Sequence, residues 1–169
     1  MNKILLFLFF SNVMLSQAGG NLNFKVDENE ILWQKVIEFE KVQSEYTEQL
    51  KLKEFFNNLN WNETSIAGKS SKKDLKIKSP YWASFPFDCF IKIEFKENRC
   101  RVTFSNVTFE GPEIEVLGVK QKLIYKLSDE AQKNGVLKDS KKIINVFYRL
   151  NDFFENITSE KLIEKKSDW

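Results

Sequence analysis

Residues 89–111 read CFIKIEFKENRCRVTFSNVTFEG, and their alternation decides the fold. A turn at Glu97-Asn98 pairs Lys96 with Arg99. It then sets Phe95 opposite Cys100, Ile93 opposite Val102 and Ile91 opposite Phe104. Alternate residues of a strand share a side, so these six side chains lie on one face. Lys92, Glu94, Lys96, Arg99, Arg101 and Thr103 fall on the other, with Glu94 across from Arg101. One apolar and one charged face is the pattern of an antiparallel sheet packed on one side and wet on the other. The same register places Cys89 against Asn106, about 20 Å along the strand from Cys100. A disulfide needs Cα atoms within about 7 Å. The two cysteines are therefore expected as unbridged, buried thiols acting as small hydrophobes.

On the N-terminal side, residues 31–42 (ILWQKVIEFEKV) have the β-branched and aromatic content of a strand, with Trp33, Ile37 and Phe39 on one face and Lys35 the exception. Ser44 can cap a helix running to about Leu59. Its apolar face is Tyr46, Leu50, Leu52, Phe55, Phe56 and Leu59, and Glu48, Lys51, Lys53 and Glu54 are turned to water. Residues 64–68 (TSIAG) and 74–78 (DLKIK) read as two short strands or one interrupted strand. The two prolines in 79–87 (SPYWASFPF) keep that segment out of a central strand. Past the hairpin, Gly111-Pro112 breaks the second strand, and 113–127 (EIEVLGVKQKLIYKL) supplies one or two more around Gly118. Asn134-Gly135 is a turn signal. From Ser140 the spacing of Ile143, Ile144, Phe147, Leu150, Phe154 and Ile157 is helical, with Asp139 or Ser140 as cap.

The ends carry different information. Met1-Asn2-Lys3, an apolar stretch from Ile4 to Leu15 and Ser16-Gln17-Ala18 follow the order of a secretory signal. The apolar run falls short of the about 20 residues needed to span a bilayer. Residues 1–18 are thus expected to be removed on export, 19–30 to be a flexible lead-in, 31–158 to form one α+β domain and 159–169 to be a charged tail. No cysteine follows the cleavage site as a lipid anchor, so the expected product is periplasmic or secreted, not a lipoprotein, and has no transmembrane span. Sixteen Phe and four Trp argue against disorder. A net charge of +2 with interspersed signs gives no clustered footprint for nucleic acid. The chain has no histidine, which excludes Ser-His-Asp and Cys-His catalysis and the usual zinc sites.

Two segments, FEKVQSEYTEQLKLKEFF (39–56) and FDCFIKIEFKENRCRVTFSNVTFEG (87–111), carry a resemblance that with the closing helix covers 31–157. The chain resembles exported Gram-negative bacterial proteins classed as a domain of unknown function with a TATA-binding-protein-like fold. The resemblance implies an α+β, two-layer architecture in β-α-β-β-β-β-α order, a curved antiparallel sheet with two helices on one face. It brings no catalytic residues and no DNA-binding implication, since fold alone does not transfer function.

Among candidate sites, Tyr81, Trp82, Phe85 and Phe87, with Phe90 beyond, are the most suggestive. Aromatic rings in a Pro-containing loop can form a platform for a partner protein or glycan. The favoured reading is that they plug one end of the sheet–helix core, since a small two-layer domain needs end caps and the Phe count is high throughout. The charged hairpin face (Lys92, Glu94, Lys96, Arg99, Arg101) reads as solvated surface. Neither Glu38 and Glu40 nor Asp27, Glu28 and Glu30 has calcium-loop spacing. Three N-x-T sequons begin at Asn62, Asn106 and Asn156, and chance explains them in an Asn-rich bacterial-type chain. No metal or cofactor is expected. The function expected is a non-enzymatic binding or envelope-associated module. A carrier of a small apolar ligand and a carboxylate-based hydrolase are the alternatives.

Overall fold

The computed structural model describes residues 22–38 and 43–159. β1 (Phe24–Asp27) turns through Glu28-Asn29 into β2 (Glu30–Glu38), and α1 (Gln43–Lys51) follows. β3 (Leu59–Trp61) and β4 (Ser65–Lys69) precede the long hairpin β5 (Phe87–Lys96) and β6 (Arg99–Val116). β7 (Val119–Lys126) returns along β6. A short α2 (Leu127–Ala131), the small ribbon β8 (Gln132–Lys133) and β9 (Val136–Leu137), and α3 (Lys141–Thr158) complete the chain. The main sheet is antiparallel in the order β1-β2-β6-β5-β4-β3, with β7 also on β6. The sheet is curved and open, and the fold is α+β.

The hairpin holds the expected register: Lys96 pairs with Arg99, Phe95 with Cys100, Ile93 with Val102, Ile91 with Phe104 and Glu94 with Arg101. Cys89 and Cys100 are both buried and form no disulfide. Straight alternation ends at Asn106, where β6 carries one extra residue opposite Cys89. Asn106 takes a left-handed φ of 48° and its N–H donates to the Glu30 carboxylate at 2.6 Å. A bulge of this kind resets which residues face in. Cys100, Val102 and Phe104 are buried before it, Val107 and Phe109 after it.

α3 lays Phe154 flat on Phe104 (ring centroids 4.1 Å, interplanar 11°), with Trp33 5.2 Å from Phe104 and 5.6 Å from Phe154. Its spacing is as expected, although the Ser140 side chain makes no capping bond. The Trp33 indole N–H donates to Asn151 Oδ1 at 2.9 Å. Lys35, the polar exception on β2, pairs with Glu155 of α3 and so satisfies its charge at the helix–sheet seam. α1 joins the same layer, the Tyr46 hydroxyl donating to the Thr158 carbonyl at 3.0 Å.

Several expectations are corrected. Residues 24–27 are a strand, not part of a flexible lead-in, because Phe24 packs on Phe147 (4.8 Å) while β1 bonds to β2. The first helix ends at Lys51, with Ser44 inside its first turn, and a tight turn at Glu54–Phe56 buries Phe55 and Phe56 before the chain enters β3. Residues 74–78 form no strand. The Asp74 carboxylate accepts the Lys76 N–H at 2.6 Å and turns the chain, leaving one bridge between Lys73 and Phe87. Gly111-Pro112 does not break β6 but forms a second bulge within its pairing to β7. α2 is a third helix that the spacing did not reveal. The expected export signal (1–18), Phe39 and the tail from 160 lie outside the described residues.

Candidate functional site

Pro80 opens a single tight helical turn, Tyr81–Ser84, and this turn divides the aromatic segment. Trp82 points inward, 8 % exposed, against Phe109 at 5.1 Å. Phe87 is fully buried between Phe55, Phe109 and Phe153. Phe90 lies on the opposite, solvent-facing side of the sheet, paired with Ser105. Tyr81 is 64 % exposed and meets Phe85 edge-on at 4.9 Å. Phe85 in turn stacks on Tyr125 of β7 at 6.0 Å, interplanar 12°. Trp82 and Phe87 therefore plug the core, while Tyr81 and Phe85 stay at the surface and gain a partner that the loop itself does not contain.

Tyr125 brings in a whole face of β7. It pairs with buried Phe109, so Leu123, Gln121 and Val119, at intervals of two, share its side. Across β6, Ile114 and Val116 face the same way. Gly111 makes the junction possible: a Cβ there would stand 3.1 Å from both the Phe85 ring and Leu123 Cβ. Toward its tip the ribbon emerges into solvent. Val116 is 44 % exposed, Val119 65 % and Leu117 99 %. The result is an apolar strip from Tyr81 through Phe85 and Tyr125 to Leu123, continued past Gln121 by Val116 and Val119. The alternation of Val119, Leu123 and Tyr125 with Lys120, Lys122 and Lys126 was present in the sequence as its signal.

The other face of the same strands holds charge. Asp88, its side chain 3 % exposed, accepts from Lys69 Nζ at 2.9 Å. Glu110 pairs with Lys122 and, at 2.7 Å, with Lys72. Burial pushes the Asp88 carboxyl up, the Lys69 ammonium opposes this, and Glu110 nearby adds to the rise. Hydrogen bonds from Lys122 and Lys72 hold Glu110 down at about 2. Carboxylates driven apart in this way are what acid–base chemistry uses. Here both are occupied by lysines, so Glu110 is a weak base, and the cluster ties β4, β5, β6 and β7 together as a structural network would. Among the described residues, no three or more His, Cys, Asp or Glu side chains converge as metal ligands, and no helix is long and apolar enough to cross a membrane. A cleft of about 220 Å³ between β2 and the end of α3 is lined by Lys35, Val36, Ile37 and Glu155 among others, with the Lys35–Glu155 ion pair on its wall.

No family model matches this chain, and no curated protein does. Two solved structures are similar to it. A TBP-like protein from Parabacteroides distasonis shares 18 % identity over 78 % of this chain and 92 % of its own, with a TM-score of 0.49. A DUF4468 family protein from Bacteroides ovatus shares 12 % identity over 80 % of this chain and 85 % of its own, with a TM-score of 0.50. The class defined is one of fold: an open, curved antiparallel α+β sheet of the kind seen in the DUF4468 family structure. The resemblance read from residues 39–56 and 87–111 is met at the level of fold, by a structure of a domain-of-unknown-function family.

Proposed function

We propose that the protein is a non-enzymatic binding module, exported and associated with the cell envelope, that holds a partner protein against the Tyr81–Phe85–Tyr125–Leu123 strip. The observation that carries this reading is the exposure of that apolar face toward the ribbon tip. Val116, Leu117 and Val119 are open to solvent, where a lone domain gains nothing by keeping them. The exposed tip that continues the strip is aliphatic (Val116, Leu117 and Val119) and offers no aromatic ring for a sugar to stack on, which favours a protein over a glycan. The carrier alternative has weaker support, because aromatic rings fill the space between α3 and the sheet and the cleft beside it has a lysine–glutamate ion pair on its wall. The hydrolase alternative rests on Asp88 and Glu110, each already held by lysine.

The test is photo-crosslinking in an extract of the source cells, with a benzophenone amino acid at position 81 and, as control, at exposed position 148 on α3. A discrete protein adduct at 81 and none at 148 is the expected result. Equal adducts at both positions, or none at either, overturn the reading, and a glycan adduct at 81 replaces the protein partner.

A further inference from the structure

The apolar strip says which face meets a partner, and the free edge of β7 says how. β7 is bonded to β6 along one side, and among the described residues no strand pairs its other side. An unpaired edge offers alternate N–H and C=O groups to any extended chain whose side chains fit. The period of two sets what fits. Val119, Gln121, Leu123 and Tyr125 stand on one face of β7, and Lys120, Lys122, Ile124 and Lys126 on the other.

A second copy of this chain fits poorly. Two β7 edges meeting side by side would bring lysine rows together, and like charges directly opposite are destabilising. The chain already shows the sequence that β7 accepts. On its paired side, Glu113-Ile114-Glu115-Val116 of β6 alternates acidic and apolar residues, with Glu113 opposite Lys122, Ile114 opposite Gln121, Glu115 opposite Lys120 and Val116 opposite Val119. Lys120 reaches Glu113 at 3.7 Å, and Lys122 pairs with Glu110. The lysine side chains remain 73 % and 47 % exposed, open to acids on the free side as well.

We propose that the free edge of β7 takes, by strand addition, an extended partner segment in which acidic and apolar residues alternate. Acids of that segment lie over Lys120, Lys122 and Lys126, and its apolar residues extend the face of Val119, Leu123 and Tyr125. This rests on the binding-module reading above and names the mode and the partner's chemistry.

The test uses the full chain and a labelled eight-residue peptide alternating glutamate with valine and isoleucine, beside the same peptide with lysine for glutamate, both followed by fluorescence anisotropy. The glutamate peptide is expected to bind at least tenfold more tightly than the lysine peptide. The order should reverse in a Lys120→Glu/Lys126→Glu variant. N-methylation of alternate peptide bonds on one edge should abolish binding, as loss of ladder hydrogen bonds requires. Equal affinity for the two peptides, no binding of either, or indifference to N-methylation overturns the proposal. So does concentration-dependent dimerisation that the lysine reversal strengthens, or binding to phosphatidylglycerol vesicles with no peptide binding. An adduct at position 81 with failed peptides would leave the binding module standing and strand addition refuted. Loss of both removes both.

Discussion

At the residue scale, Asn106 has the largest consequence for its size. Its left-handed backbone carries the bulge that turns Val107 and Phe109 into the core, and asparagine tolerates that conformation where a β-branched residue does not. Asn106→Val is expected to cost about 1–2 kcal/mol relative to Asn106→Gly, read as a lower urea midpoint. The straight register derived from the hairpin sequence placed Cys89 opposite Asn106 and could not show the extra residue, since nothing in Ser-Asn-Val-Thr marks a bulge beyond Asn itself. The thiols were legible, because a 20 Å separation along paired strands leaves no room for a bond. Burial pushes the Cys89 thiol well above its ordinary range. Both cysteines should therefore resist a thiol reagent in the native protein and label fully in denaturant. Fast native labelling would contradict their placement.

At the scale of elements, α3 and the β5–β6 hairpin make the core, and both were readable because period is their whole signal. Phe154→Ala removes the ring stacked on Phe104 and packed against Trp33. It should cost about 3–5 kcal/mol, measured by equilibrium unfolding. The elements that sequence reading missed are held by contacts rather than by pattern. β1 is four residues long and owes its place to β2 and to Phe147. β3 was hidden because Phe55, Phe56 and Leu59 also fit helical spacing, and only the turn after α1 separates them. The strip from Tyr81 to Val119 was half legible. The loop aromatics drew attention by their density, whereas Tyr125 and Leu123 joined them only once the second bulge had set the ribbon's face.

For the whole molecule, the charged cluster on the outer face gives stability a defined acid limb. Glu110 has a folded pKa of about 2, below the about 4.3 of an unperturbed glutamate. Its contribution is therefore complete above about pH 4.3 and is lost as pH falls toward 2. Asp88, raised by burial, acts with the opposite sign, since protonation relieves its desolvation as pH falls. The melting temperature of the parent protein should exceed that of Glu110→Gln near neutrality, and the gap should close on acidification from pH 5 to 2. A gap independent of pH would show that the lysine pairs do not matter. The two bulges on β6 also limit how this architecture can vary. One strand serves both the core and the ribbon, and the ribbon's two faces differ, so its length is quantised. Inserting two residues on each side of Leu117-Gly118 extends the reach by about 6.6 Å and keeps lysines and valines on their own sides. Inserting one residue on one side alone shifts the register of β6 against β7 and turns the side chains beyond it to the wrong face. Relatives with longer or shorter ribbons should differ by even steps.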